Sequence, residues 1–259
     1  MTDDLPGVDT TVDDGVLRVT LNRPTRMNAV KTETLVAIAD AFEKYAGDTS
    51  VRVAVLTGAG RAFCSGADIA GRDLSAPPRA DTIDAANRAA AAIRAFPRPV
   101  VGAVNGAAAG VGVSLALACD LTVSKESGYF LLAFTRIGLM PDGGASALVA
   151  ASVGRARALK MALLAERLPA TEALTSGLIA EVWPDDEFDS AVETLVQRLA
   201  DGPSGAFAST KNAINDATLT ELDSAFARER EGQLVLLGGP DFAEGVTAFQ
   251  EKRVANFRR

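Results

Sequence analysis

The stretch PVVGAVNGAAAGVGVSLALACDLTVS, residues 99–124, decides how this chain folds. "PVVGAVNG" (99–106) is a short apolar run rich in valine and closed by glycine, the pattern of a strand buried on both faces. "VGVSLALA" (111–118) suits a helix, and "DLTVSK" (120–125) a further strand. Between the first two, glycine and alanine leave the backbone almost bare. Bare backbone lets something approach closely, either a packed neighbour or a ligand. A helix beginning near Val111 would leave unpaired N–H groups, which attract an anion or a developing oxyanion. The residues alone leave both readings open.

Working outward, "VRVAVLTG" (51–58) is another buried strand. It runs into a second junction rich in small residues, "GAGRAFCSGADI" (58–69). "TETLVAIADAFEKYA" (32–46) has helical spacing behind a Thr N-cap candidate, and "TIDAANRAAAAIRAF" (82–96) is a helix stopped by Pro97. "VDTTVDDGVLRVTLN" (8–22) reads as a hairpin around a DDG turn. Strands alternating with helices predict stacked β-α units and an α/β core. From Ala145 onward the pattern is mostly helical, and only "GLIAEVW" (177–183) offers a strand. The expected organisation is a core over residues 1–200 and a helical region over 201–259, packed on its own chain or on a neighbour.

Composition narrows the function. The 259 residues carry 26 Lys plus Arg against 33 Asp plus Glu, so a general nucleic-acid surface is disfavoured. No 18-residue apolar run predicts a membrane span, and "MTDDLPGVDT" has no apolar h-region. The expected location is cytoplasmic. Two cysteines, Cys64 and Cys119, supply neither a disulfide framework nor a four-ligand zinc site, and no metal is expected. The chain has no histidine. Ser-His-Asp and Cys-His nucleophile systems are therefore excluded, and acid-base work falls to Asp, Glu, Lys, Tyr, Cys or water.

"GAGRAF" lacks the Lys-Ser/Thr of a P-loop, and "GAAAGVG" lacks the dinucleotide fingerprint. In "GLMPDGGAS" (138–146), Asp142 is either a helix N-cap or a carboxylate aimed at a cavity. In "FQEKRVANF" (249–257), Phe249, Lys252 and Phe257 suit a terminal helix that packs aromatics and offers a cation, or one that is simply solvated.

Taken together, "LNRPTRMNAV", "VAVLTGAGRAFCSGADI", the opening stretch, "RIGLMPDGGAS" and "FQEKR" resemble the crotonase superfamily, the enoyl-CoA hydratase/isomerase family, over essentially the whole chain. The resemblance implies a spiral of β-β-α turns with C-terminal helices that build a homotrimer or a hexamer. It implies an acyl-CoA thioester substrate, with CoA as part of the substrate and no separate cofactor. By position, the backbone N–H groups of Ala67 and Val111 would form the oxyanion hole. CoA contacts would come from Arg26, Met27 and Ala29, and from Ser65, Gly66, Asp68 and Ile69, with Asp68 shaping the loop. Phe249 and Lys252 match positions near the nucleotide, often donated by a neighbouring subunit.

Family hydratases place water with two glutamates, and this chain has Ser114 and Phe134 at those positions. Neither can act as a carboxylate base. Asp142 matches a position that family isomerases use as a proton carrier and that an aroyl-CoA dehalogenase uses as a nucleophile. The dehalogenase also needs a histidine, which this chain lacks. The expectation is an enoyl-CoA isomerase with Asp142 as proton shuttle, its pKa raised by apolar surroundings in which Phe134, Leu131 and Met140 would line the acyl pocket. The alternatives are a hydratase or another crotonase reaction, and a non-catalytic acyl-CoA binder. Residues 71–88 are expected as a loop covering the acyl pocket.

Overall fold

The structure is a computed structural model that describes residues 6–71, 73–74 and 77–258. Strands β1 (Val8–Asp13) and β2 (Val16–Leu21) form the expected antiparallel hairpin. Its two turn residues, Asp14 and Gly15, both have positive φ, as the twist of a two-residue hairpin requires. Helix α1 (Thr32–Ala46) follows. Its cap differs from expectation: Lys31 is the N-cap, Thr32 lies inside the first turn, and the Thr34 hydroxyl accepts the Lys31 N–H at 3.4 Å.

The chain then winds through repeated turns. Strand β3 (Val53–Gly58) leads to β4 (Ala62–Cys64) and α2 (Asp81–Ala95). Strand β5 (Val100–Val104) leads to β6 (Ala107–Ala109) and α3 (Val111–Leu117). Strand β7 (Leu121–Lys125) leads to β8 (Tyr129–Leu131), a 3-10 helix over Ala133–Ile137, and α4 (Ala145–Leu164). After β9 (Leu168–Pro169) and α5 (Ala170–Thr175), β10 (Glu181–Trp183) completes a six-stranded sheet in the order β1-β2-β3-β5-β7-β10. Pairing in this sheet is parallel beyond the hairpin. The strand expected over 177–183 is thus confined to its last three residues.

Strands β4, β6, β8 and β9 form a second, four-stranded sheet where the sequence suggests only loops and one helical run. Its first three strands have three residues each, too short to display a period of two, and Ala62–Cys64 and Ala107–Ala109 lack β-branched side chains. Each turn of the chain therefore gives one strand to each sheet before its helix.

Leu35, Ile38 and Phe42 of α1 and Ile83 and Ile93 of α2 are buried in the core. Phe42 meets Phe96 edge to face with centroids 5.5 Å apart, a geometry that adds about 0.5–1.5 kcal/mol beyond burial. Some of the small residues in the opening stretch serve packing. A Cβ on Gly112 would lie 2.6 Å from the Cys64 carbonyl oxygen, so α3 lies directly on β4.

Helix α6 (Phe188–Ala200) covers the other face of the large sheet with Phe188, Val192 and Val196. Helix α7 (Ser204–Thr218) is fastened by Lys211, whose Nζ donates to Phe96 O (2.7 Å) and Arg98 O (3.2 Å) and pairs with Asp120 (2.7 Å). Helix α8 (Leu222–Leu237) lies over the loop before α4, where Gly144 leaves room for Leu222 and Phe226. Helix α9 (Pro240–Gln250) packs on the 3-10 helix, with Gly245 against Ile137. The terminal helix expected over 249–257 stops at Gln250. Lys252 adopts a left-handed conformation (φ 55°), its N–H bonded to Phe249 O and that of Arg253 to Ala248 O, which closes the helix end.

Candidate functional site

Two segments assigned to CoA by resemblance are knitted into one strip. Met27 and Asn28 take left-handed conformations (φ 53° and 54°). Buried Asn28 holds them, donating to Ala59 O (2.9 Å) and Ala62 O (2.7 Å) and accepting the Arg23 N–H (2.9 Å). Ser65 N–H then bonds Met27 O, Val30 N–H bonds Gly66 O, and Asp68 N–H bonds Val30 O. Arg26, Met27 and Ala29 thereby lie alongside Ser65, Gly66, Asp68 and Ile69. Arg23 pairs with Asp68 at 2.9 Å and also donates to Ala29 O. Burial pushes the Asp68 carboxyl up, but the hydrogen bonds from Arg23 and the Ala70 N–H, with the charges of Arg23 and Arg26, together outweigh it and hold the group below its ordinary range. Sequence reasoning passed over Asn28 and Arg23. An asparagine between two loop segments was the available signal, since Asn tolerates the left-handed region.

The two small-residue junctions meet backbone to backbone. Gly66 (φ 100°) and Gly110 (φ 54°) need conformations that other residues avoid. A Cβ on Gly66 would sit 3.2 Å from Ala109 O, and one on Gly110 would sit 3.4 Å from the Gly66 Cα. Ala67 and Val111 are the next residues. Ala67 bridges Val30 in parallel fashion through its neighbours' groups, so its own N–H turns away from that partner. Among the described residues, neither the Ala67 nor the Val111 N–H donates to a protein acceptor.

Asp142 comes to the same place. Gly143 packs so closely that a Cβ there would lie 3.0 Å from Ser114 Cβ and 3.3 Å from Val111 Cγ2. Buried Ser114 donates its hydroxyl to the Asp142 carbonyl oxygen at 2.7 Å, fixing the backbone of the loop. Asp142 is not the cap of α4. That cap is Gly144, and the Asp142 side chain turns instead to α8, where Gln233 Nε2 donates to its Oδ2 at 2.8 Å. The capping carboxylate comes from α8 as well. Glu229, fully buried, accepts Gly144 N–H through Oε2 (2.7 Å) and Ser146 N–H through Oε1 (2.8 Å). A carboxylate at a helix N-terminus is favourably placed.

Asp142 keeps part of its surface open while protein surrounds it on most sides. Burial pushes its carboxyl up to about 7, helped by the negative charge of Glu229 and opposed by the Gln233 hydrogen bond. Glu229 is also raised, again by burial, against the pull of the Ser146 and Gly144 N–H groups. A carboxyl that titrates near neutrality can both take and return a proton.

The other expected residues are spread more widely. Phe134 is buried, its ring tip 4.0 Å from where a Gly110 Cβ would be. Met140 packs against Gly232 of α8. Leu131 belongs to a separate apolar cluster with Ala109 and Ala165, while its carbonyl accepts the Gly110 N–H. Phe249 and Lys252 are exposed at the end of α9, and no hydrogen bond joins them to the Arg26–Ser65 strip among the described residues. The segment 71–88 includes positions outside the described residues, and from Asp81 it is already α2. Glu229 and Gln233 were not anticipated. Their one signal is a spacing of four on a helix, which places both on one face.

Comparison with known proteins bears on the family and the fold. The family model for enoyl-CoA hydratase/isomerase matches residues 11–259. A Rhodobacter capsulatus protein named "Probable enoyl-CoA hydratase" is 42% identical over 95% of each chain. The 1,2-epoxyphenylacetyl-CoA isomerase of Escherichia coli is 36% identical, covering 95% of this chain and 96% of its own. A crystal structure of an enoyl-CoA hydratase from Mycobacterium avium subsp. paratuberculosis is 55% identical and superposes with a TM-score of 0.92, covering 98% of this chain and 99% of that one. With the two-sheet spiral and the glycine-lined junctions, these likenesses show that the chain is a member of the crotonase superfamily, in the enoyl-CoA hydratase/isomerase family.

Proposed function

We propose that the protein is an enoyl-CoA isomerase in which Asp142 carries the proton. The observation that supports this most is the Asp142 carboxyl itself, raised to about 7 in a loop whose next residue, Gly143, packs against Val111 and Ser114. The thioester oxygen docks on the Ala67 and Val111 N–H groups, which stabilise the enolate. Losing one such donor costs about 2.7–4 kcal/mol in a hydrolase precedent. With a 3-enoyl-CoA, Asp142 takes a proton from C2, the double bond shifts through a dienolate, and the same carboxyl returns the proton to C4. One C–H bond breaks and one forms. Proton transfer of this kind needs no cofactor beyond the CoA that the substrate carries. Ser114 and Phe134 stand where the water-placing glutamates of hydratases would be, which further supports isomerisation over hydration.

Arg26, Met27, Ala29 and the Ser65–Ile69 strip take the CoA portion. Phe249 and Lys252, exposed on one chain, suit a nucleotide held between copies in a homotrimer or hexamer. Among the described residues no helix is long and apolar enough to cross a membrane, and a cytoplasmic location is part of the same reading.

A second reading, hydration, draws on the Rhodobacter capsulatus relative, named as a hydratase. Assays of the wild type and Asp142→Asn on 3-enoyl-CoA and 2-enoyl-CoA substrates separate the two. The isomerase reading expects double-bond migration to fall about 10²–10⁴-fold in the variant, with little water addition to crotonyl-CoA by either protein. Unchanged isomerisation would overturn the role of Asp142, and strong wild-type hydration would favour the second reading.

A further inference from the structure

Helix α8 places two buried polar residues, Glu229 and Gln233, against the loop that carries Asp142, and neither belongs to the expected machinery. Gln233 makes two hydrogen bonds. Its Oε1 accepts the Met140 N–H at 3.3 Å, and its Nε2 donates to Asp142 Oδ2 at 2.8 Å. A backbone N–H can only donate, so the Met140 contact fixes which end of the amide faces Asp142. Gln233 is 1% exposed, so the amide has little freedom to leave. Among the described residues, the other carboxylate oxygen, Oδ1, accepts no hydrogen bond.

The geometry points to Gln233 as a positioning residue for Asp142: it clamps Oδ2, leaves Oδ1 free to meet the substrate, and favours the ionised carboxylate that begins each turnover. This inference rests on Asp142 being the proton carrier. Around the Asp142 loop, helix α3 offers Val111 and Ser114, which carry no charge, with the Ser114 hydroxyl on the Asp142 carbonyl oxygen, while Gly144 and Ser146 at the start of α4 direct their N–H groups to Glu229. Helix α8 contributes Gln233 and the one ionisable group acting on Asp142 among the described residues, Glu229. Gln233 and Glu229 thus pull in opposite directions. A hydrogen bond donated to a carboxylate favours its charged form, and a neighbouring negative charge disfavours it.

The test is a carbon-13 titration of aspartate-labelled protein, with the Asp142 signal assigned by its loss in Asp142→Asn, run beside a pH profile of isomerisation. In Gln233→Met the Asp142 midpoint should rise by about one unit, and the rate at pH 6 should fall about tenfold while the high-pH plateau changes less. In Glu229→Gln the midpoint should fall. If Gln233→Met does not fold, Gln233→Glu keeps an acceptor for Met140 and sets a second carboxyl beside Asp142, so the pair should titrate in two separated steps. An Asp142 midpoint that stays at its wild-type value in the Gln233 variant overturns the positioning role. The titration reads Asp142 whatever the reaction is. A shifted midpoint with isomerisation indifferent to Asp142→Asn would sink Asp142 as the proton carrier while leaving Gln233 as the group that sets its ionisation, and an unshifted midpoint with activity lost in Asp142→Asn would sink the positioning role alone.

Discussion

Asp120 and Asp142 are both carboxylates pushed above their ordinary range by burial, yet they face opposite neighbours. Asp120, just beyond α3, accepts the Val100 N–H at 2.8 Å and pairs with Lys211 at 2.7 Å. Asp142, in the loop before α4, faces an amide and the like charge of Glu229. A cation turns a buried carboxylate into a fastener between elements, here joining the large sheet to α7. Burial, with lesser help from a like charge and no cation to oppose it, leaves the second carboxyl titrating near neutral pH, a poor device for stability and a useful one for chemistry. Burial alone would not tell the two apart, but the sign of the neighbour does.

The largest expected effect breaks the fastener. Lys211→Met keeps the packing volume but leaves Asp120 buried without its cation, which should cost about 3–5 kcal/mol. Denaturant unfolding should show that loss, while kcat of the folded variant stays near wild type. Adding Asp120→Asn should recover part of the stability, because the uncompensated charge goes with it. A single variant that unfolds like wild type would mean that Lys211 is not what makes Asp120 tolerable.

The next effect runs the other way. Folded Asp142 holds its proton up to about 7, against an ordinary value of 3.8. Between those values the unfolded chain binds fewer protons than the folded one, so stability falls as pH rises, and the loss levels off above the folded pKa. Three units correspond to about 4 kcal/mol at most. Asp142→Asn should therefore be more stable than wild type by roughly 2–4 kcal/mol at alkaline pH, with the gain shrinking to nothing in acid. A variant that loses catalysis and gains stability would mark Asp142 as a group kept for function. A gain that does not change with pH would place the cause in packing instead.

The sequence showed one half of this contrast more readily than the other. The valine-rich runs over β3 and β5, the DDG hairpin and the helical spacing of α1 and α2 are local patterns, and all of these elements stand within a few residues of where they are expected. Strands β4, β6 and β8 escaped because three residues cannot show a period and their partners lie many residues away. Asp142 was legible because "PDGG" sets a carboxylate among glycines. The sequence could not say whether it capped α4, and that answer came from Glu229, which takes the capping role from α8. Glu229 and Gln233 read as part of an ordinary charged helix, and only the placement of α8 over the Gly144 loop gives them meaning. Lys211 was hidden in the same way, as one cation in an unremarked helix.

The smallest effect adds a third carboxylate to the comparison. Asp68 is partly buried like the others, yet its group sits below the ordinary 3.8 because Arg23, helped by the Ala70 N–H and Arg26, more than offsets the effect of burial. A depressed folded value means stability that is present above 3.8 and lost as pH falls through the folded pKa. Asp68→Asn should cost about 1 kcal/mol at neutral pH and nothing in strong acid. Its stability profile, measured beside that of Asp142→Asn, should therefore diverge from wild type in the opposite sense as pH rises. The same loop holds Ser65 and Gly66, so a modest rise in the KM for an acyl-CoA with kcat little changed should accompany the substitution. A profile parallel to that of Asp142→Asn would mean that Arg23 does not govern Asp68, and that burial dominates at both sites.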